Sequence, residues 1–317
     1  MAGIVGIVLP VFALIALGYL AAWSGLLKRE TGAALSDFVF IVAIPVLIFR
    51  TLATAAFGEA SPWSLWAGYF LVFGVMWVTG TLVIRKLFGR DARAGVVGGI
   101  STAYGNTVLV GIPLTLAAYG DPGAVAMALI IALHLPVMMA AGAILIARAE
   151  RIDGVAVAEP GARAARGAAL ALARNPIIIG LVLGALWHVL GVPLAGFPRT
   201  IVDRLADVAS TLALFAMGMS LRQYGIRGNV RAGLVLAFLK LMLMPALVWL
   251  ATRYVFPMPA VWAKVAVIAA ACPTGVNAYV VAARFRTGEA LSSNAITIST
   301  GLAVISTALW LTVVEAV

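Results

Sequence analysis

Cysteine and charge are both scarce in this chain of 317 residues. Charged residues make up 11% of it, against about 25% in soluble proteins. The single cysteine, Cys272, excludes a disulfide within the chain and any metal cluster built from several thiolates. No Walker A, HExxH or GxSxG sequence is present, so direct ATP coupling and the corresponding hydrolases have no support. We therefore expect no enzymatic activity, no cofactor and no metal site.

The chain has only twelve acidic residues, and none lies in the middle of an apolar run. All twelve fall in loops or near the ends of the runs, so no midplane carboxylate is available to relay a proton or to bind Na⁺. Backbone carbonyls of a broken helix could still hold a cation. H⁺ and Na⁺ both remain open as coupling ions.

Apolar residues, in contrast, are abundant, at 63% of the chain. They form runs long enough to cross a hydrocarbon core of roughly 30 Å, which takes about 20 helical residues. The sequence thus predicts an all-α protein embedded in the lipid bilayer. Ten membrane helices are predicted, near residues 3–24, 33–56, 63–87, 94–118, 123–147, 175–191, 203–221, 230–254, 260–283 and 292–314.

The distribution of positive charge predicts the orientation of these helices. Sixteen of the 22 Lys and Arg residues fall in alternate loops, which places those loops in the cytoplasm and both termini on the non-cytoplasmic side of the cell inner (plasma) membrane. The net charge of +10 is explained in this way, without nucleic acid as a partner. A linker over 148–174 separates two five-helix halves, 1–147 and 175–317. Because five is odd, the second half is expected to be an inverted repeat of the first.

Two of the predicted helices are interrupted at matching places in the two halves. The fourth reads as helix to Ala103 and the ninth to Ala271, and each then meets a cluster of Gly, Pro, Asn and Thr. Proline removes a helical hydrogen bond and glycine permits unusual backbone angles. The predicted points of crossover are Gly105, Pro273 and Gly275. Paired interruptions of this kind indicate the substrate site of a secondary transporter.

Polar side chains beside the interruptions are the candidate binding groups. Asn106 and Asn277 supply donors and acceptors, while Thr107 and Thr274 add hydroxyls. Half-helices that start at such a break aim their N–H groups at the midplane, where they favour anions. The alternative is a pair of simple kinks, in which these side chains bind only neighbouring backbone.

Lys240 and His134 are two titratable residues well inside predicted helices. Lys240 could bind an anionic substrate, or it could donate to the opened backbone of the ninth helix as a structural support. His134 could relay protons, since imidazole titrates near neutrality, or it could be a packed, hydrogen-bonded residue.

These motifs resemble the auxin efflux carrier (PIN-like) family, within the bile-acid/arsenite/riboflavin transporter superfamily, in its prokaryotic form. The resemblance covers nearly the whole chain, and its two interrupted motifs are the most specific. They are YGNTVLVGIPL at 104–114 and CPTGVNAYVVA at 272–282. Supporting matches are LPVFALIALGY at 9–19, VAIPVLIF at 42–49, LALFAMGMSL at 212–221 and LKLMLMP at 239–245.

The resemblance implies a scaffold of helices 1, 2, 6 and 7, which forms a homodimer, and a transport domain of helices 3–5 and 8–10. It also implies elevator-type alternating access and an organic anion, a mono- or dicarboxylate, as substrate. Where plant members have Pro-Asn in the fourth helix, this chain has Gly105-Asn106, which argues against auxin itself. Two alternatives stay open: a bile-acid-type Na⁺ symporter, and a membrane sensor that binds a ligand without moving it.

Overall fold

The computed structural model describes residues 2–56, 61–155, 167, 169–226, 228 and 230–316, and its regular structure is helical. Part of the predicted 148–174 linker, residues 156–166 and 168, lies outside the described residues. The α-helices are α1 (Ala2–Trp23), α2 (Arg29–Phe38), α3 (Ile44–Ala53), α4 (Trp63–Leu82), α5 (Ala92–Ala103), α6 (Ile112–Ile152), α7 (Pro176–Leu190), α8 (Gly196–Tyr224), α9 (Val230–Phe238), α10 (Met244–Tyr254), α11 (Ala260–Ala271), α12 (Asn277–Arg284) and α13 (Glu289–Glu315).

Six helical stretches in the described residues are long and apolar enough to cross a membrane. They are Gly3–Trp23, Arg29–Ala53, Trp63–Leu87, Thr107–Ile152, Val230–Tyr254 and Glu289–Glu315. The helices α7 and α11 are apolar but shorter. The predicted membrane protein is thus confirmed, whereas the full set of ten crossings stays a prediction. Within α6 the backbone leaves the helical conformation at Gly120 (φ 60°, ψ −151°), between the fourth and fifth predicted helices. The fifth predicted helix continues to Ile152, beyond its expected end at residue 147.

Short π-helical turns interrupt several of these stretches, and three of the turns precede a proline by two residues. The turns are Val39–Ala43, Thr107–Gly111 and Leu239–Leu243, followed by Pro45, Pro113 and Pro245. Proline cannot donate to the carbonyl four residues earlier, and its ring clashes with that carbonyl. A wider turn is a local way to accommodate the lost bond. The helix therefore continues through each proline.

The chain forms two compact units, and the first comprises Met1–Ser61, Thr107–Ala132 and Leu172–Gln223. Within it, α7 packs directly on α3. A Cβ at Gly184 would lie 2.8 Å from the Phe49 carbonyl oxygen, so only glycine permits this approach. At the end of α3, Arg50 binds two carboxylates of α8, those of Asp203 (3.2 Å) and Asp207 (2.7 Å).

The second unit comprises Pro62–Asn106, Leu133–Ala171 and Tyr224–Val317. Its α5 begins with a doubly capped turn. Asp91 accepts from the Ala94 amide at 2.7 Å, and Asp153 accepts from the amides of Ala92 and Arg93 at 2.9 and 3.0 Å. Such acceptors satisfy the free N–H groups of a first turn. These bonds fix the first turn of α5, the helix that leads into the candidate site.

Candidate functional site

The two interrupted segments meet through their backbones in the second unit. The helices leading into them, α5 and α11, have 12 residues each and end at the predicted residues, Ala103 and Ala271. Beyond these ends, Gly105 and Thr274 form an antiparallel β-bridge. The Asn106 amide donates to the Pro273 carbonyl at 2.8 Å, and the Gly275 amide donates to the Tyr104 carbonyl at 2.9 Å. We call residues 104–106 and 273–275 the crossing.

Local sequence explains why α11 ends and why the crossing is narrow. Cys272 precedes a proline and takes an extended conformation (φ −57°, ψ 142°), as the clash with a proline ring favours. At Gly105 a Cβ would lie 3.2 Å from both the Ala269 carbonyl oxygen and Lys240 Nζ. At Gly275 it would lie 2.5 Å from Tyr104 Cδ1. Close packing therefore excludes a side chain at Gly275 and leaves little room for one at Gly105, and neither glycine has a positive φ.

Side-chain donors occupy carbonyl groups at the ends of both incoming helices. Thr274 Oγ1 donates to the Ser101 carbonyl at 2.8 Å, and Lys240 Nζ donates to the Ala270 carbonyl at 2.6 Å. The amide four residues after Ala270 belongs to Thr274, and it donates instead to Ser299 Oγ at 3.0 Å. The negative ends of α5 and α11 are thus partly compensated by protein groups.

Lys240 is fully buried in the π-helical turn Leu239–Leu243. Besides the Ala270 carbonyl, its Nζ contacts Met244 Sδ at 3.2 Å. Its neighbour Leu241 lies four residues before Pro245, and the Leu241 carbonyl accepts from Trp310 Nε1 at 2.9 Å. The contact to Ala270 is the one expected of the support described in the sequence analysis.

Tyr104 joins the crossing to His134. Asn277 Nδ2 donates to the Tyr104 hydroxyl oxygen at 3.0 Å, and the Tyr104 and His134 rings stack with centroids 4.3 Å apart. His134 is buried, and further aromatic rings lie around it: Tyr69 at 5.7 Å, Phe70 at 6.3 Å and Phe73 at 5.3 Å. These surroundings are those of a packed histidine.

The structure brings most of the predicted site residues together in the second unit. Asn106, Thr274 and Lys240 are buried there, while Asn277 is half-buried at the first position of α12. Thr107 is also buried, but it begins the π-helical turn Thr107–Gly111, which belongs to the first unit. Among the described residues, no group of three or more His, Cys, Asp or Glu side chains could hold a metal ion.

Sequence reasoning missed three residues that belong to the crossing or bind it: Tyr104, Ser101 and Ser299. Tyr104 stands inside the interrupted motif, so an aromatic residue among Gly and Asn was the available signal. Ser299 gave none, because a serine in a long apolar helix usually binds the backbone of its own helix. Its contact with the Thr274 amide depends on tertiary structure alone.

Interrupted helices that pair their freed backbone groups are typical of one class, the membrane transport proteins. The chain belongs to the family described as "Membrane transport protein", whose sequence profile it matches over residues 4–311. Together with the transporter-named relatives, this membership identifies a transporter rather than an enzyme.

Two relatives are similar over almost their whole length. One, from Rhizobium meliloti (strain 1021), is named "Putative malonate transporter"; it is 30% identical over 319 residues, which covers 96% of this chain and 93% of that protein. The other, from Methanothermobacter thermautotrophicus, is named "Uncharacterized transporter" and is 27% identical over 305 residues, 96% of both chains. The resemblance to the PIN-like carriers is thereby confirmed at the level of the family.

Proposed function

We propose that this protein is a secondary transporter of a small organic anion, with dicarboxylates of malonate size as the first candidates. The observation that carries the proposal is the crossing and its pattern of charge. Donors from Thr274 and Lys240 compensate the carbonyl ends of α5 and α11. The N-terminus of α12, which starts at Asn277, adds a partial positive charge beside the crossing. The name of the Rhizobium meliloti relative supports the same class of substrate.

In this proposal Asn106, Thr107, Thr274 and Asn277 are the candidate anion-binding residues, and Gly105, Pro273 and Gly275 form the crossover. Lys240, whose Nζ donates to the Ala270 carbonyl, is the electrostatic partner of the anion in this proposal. Backbone N–H groups and neutral side-chain donors suit a transported anion. They bind it without a positive charge in direct contact, so the anion can also be released.

The proposed mechanism is elevator-type alternating access by two inverted repeats of five helices. The contents of the two units agree with it in part. One unit holds residues 1–61 and 172–223, with the predicted scaffold helices, but also residues 107–132, which the prediction assigns to the transport domain. The other unit holds residues 62–106, 133–171 and 224–317. The equal lengths of α5 and α11 support the repeat. The proposal includes a homodimer through the scaffold and both termini outside the inner membrane, to be tested by chemical crosslinking and by protease access to terminal tags in right-side-out vesicles.

The test is uptake of labelled malonate, succinate and acetate into proteoliposomes, with the Na⁺ and pH gradients varied separately. We expect saturable malonate uptake that Thr107→Ala reduces at least tenfold. Thr79→Ala is the matched control, because Thr79 is half-buried and its hydroxyl donates to the Val75 carbonyl of its own helix at 2.8 Å.

The outcomes separate the candidate functions. Strict dependence on Na⁺ would instead support a bile-acid-type symporter. Saturable binding to the purified protein without uptake would overturn the transporter proposal and favour a sensor. Uptake unchanged in Thr107→Ala would remove that residue from the site.

A further inference from the structure

We propose that Tyr104 is a substrate-binding residue, which recognises a carboxylate together with Asn277. This inference rests on the proposed function and assigns to it a residue outside the set of Asn, Thr and Lys side chains predicted from the sequence. It is carried by the hydrogen bond between the two side chains and by the way the Tyr104 ring is held.

The position of Tyr104 is fixed by its own backbone. It ends α5 in an extended conformation (φ −85°, ψ 110°), and its carbonyl accepts from the Gly275 amide at 2.9 Å. A side chain attached to this residue moves with the crossing. Its hydroxyl therefore keeps its place relative to the crossing backbone.

The ring of Tyr104 is held by two neighbours. It stacks on His134, with centroids 4.3 Å apart and the planes tilted by 33°. It also lies against the backbone of Gly275, where a Cβ would come within 2.5 Å of Cδ1 and 2.8 Å of Cε1. A ring confined in this way loses little freedom on binding a ligand, which is the condition for a strong polar contact.

The hydrogen-bonding capacity of the pair points to a carboxylate. Asn277 Nδ2 uses one of its two N–H groups to donate to the Tyr104 hydroxyl oxygen. The phenol can still donate its own proton, and the amide its second N–H. Two donors on one hydrogen-bonded pair match the two oxygens of a carboxylate.

The burial of the pair suits selective recognition. Tyr104 is 5% exposed, and among the described residues no acceptor is recorded for its hydroxyl proton. A buried donor that is left without an acceptor is disfavoured, so an anion that reaches it gains a well-oriented partner. Asn277 is half-buried and provides the more accessible member of the pair.

Tyr69 provides a matched control. Its ring also packs on His134, at 5.7 Å, and it is fully buried. Its hydroxyl has no hydrogen-bond partner in the described part of the chain, and no crossing residue binds it. Tyr69→Phe and Tyr104→Phe thus each remove one phenol hydroxyl from the same aromatic cluster. Only Tyr104→Phe removes a hydroxyl that is hydrogen-bonded to Asn277.

The experiment measures malonate binding to purified protein by calorimetry and malonate uptake into proteoliposomes, for the unmodified protein and both variants. We expect Tyr104→Phe to raise the malonate Kd and the KM of uptake by roughly tenfold to a hundredfold, the effect of one hydrogen bond to a charged group. We expect Tyr69→Phe to change either value less than about threefold, because its hydroxyl has no bond to lose.

The possible outcomes test the role of Tyr104 separately from the proposed function. Equal affinities in all three proteins, with uptake intact, would overturn the role of Tyr104 and leave the transporter standing. Equal losses in both variants would assign the effect to the aromatic cluster and also overturn it. If the unmodified protein neither binds nor moves a carboxylate, the proposed function fails, and this inference fails with it. Melting temperatures of the variants within about 3 °C of the parent would show that each remains folded.

Discussion

Lys240 Nζ donates to the Ala270 carbonyl at 2.6 Å, and the lysine is fully buried. Its Nζ therefore satisfies a carbonyl that the break at Pro273 has left without a helical amide. The same bond ties the π-helical turn Leu239–Leu243 to the end of α11. Removal of this donor is expected to weaken the crossing itself.

Lys240→Met is expected to destabilise the protein by about 1–3 kcal/mol, because a buried carbonyl loses its partner. The measurement is thermal unfolding in detergent without substrate. Lys264→Met is the control: Lys264 pairs with Glu315 at 2.7 Å, with side chains 27% and 43% exposed. An exposed pair is worth about 0–1 kcal/mol. Similar losses in the two variants would contradict a supporting role for Lys240.

Gly275→Ala is expected to disturb the crossing. The new Cβ would lie 2.5 Å from Tyr104 Cδ1 and 3.1 Å from the Gly105 carbonyl oxygen. One of these groups must shift, at a cost of about 1–3 kcal/mol, and malonate uptake is expected to fall. Gly301→Ala is the control, since nothing lies within 4 Å of its Cβ position in α13. That change should stabilise the helix by about 0.5–1 kcal/mol. A higher melting temperature for both variants would refute the close packing at Gly275.

His134→Phe tests packing against proton relay. The rings of Tyr104, Tyr69, Phe70 and Phe73 surround His134, so a phenyl ring should occupy the space with a loss below about 1.5 kcal/mol. We expect malonate uptake by the variant to keep the pH dependence of the unmodified protein between pH 5.5 and 8. The measurement is initial uptake rate in proteoliposomes at each pH. A flat profile in the variant, against a sloped one in the parent, would establish the relay.

Asp153 links stability to pH at the start of α5. Burial raises the pKa of its carboxyl. Hydrogen bonds from the Ala92 and Arg93 amides and from the Arg93 guanidinium, together with the charge of Arg93, lower this pKa by more than burial raises it. The pKa in the folded protein therefore lies below the unfolded value of about 3.9. The stabilisation is present above that unfolded value and is lost as the pH falls through the folded pKa.

Asp153→Asn is accordingly expected to lower the melting temperature at pH 7 and to have a smaller effect near pH 3. Asp91→Asn is the control, because asparagine caps helices about as well as aspartate does. Its expected effect is within about 0.5 kcal/mol at either pH. A constant difference between Asp153→Asn and the parent across the pH range would contradict the linkage.

Prediction from the sequence was most accurate where local chemistry decides the outcome. The ends of α5 and α11 at Ala103 and Ala271 followed from the Gly and Pro residues after them. The helical stretch from Val230 to Tyr254 followed from its mostly apolar residues, whereas the π-helical turn Leu239–Leu243 inside it was not predicted. These signals act within one turn of the backbone.

What sequence could not supply was the partner of each polar group. Nothing in the order of residues indicates that Ser299 Oγ accepts from the Thr274 amide, or that Trp310 binds the Leu241 carbonyl. Such contacts join residues 25 and 69 positions apart. They depend on how the helices of the second unit pack, which propensity does not encode. The choice between a support and a ligand for Lys240 was open for the same reason.

The β-bridge between Gly105 and Thr274 is made by main-chain atoms alone. Its two hydrogen bonds need no particular side chain at residues 104–106 and 273–275 beyond the space that Gly105 and Gly275 leave open. Evolution can therefore alter the chemistry around the crossing, at positions such as Tyr104 or Asn277, without dismantling the junction. Under the proposed function, related chains are expected to differ in substrate through these side chains while they keep the same backbone junction.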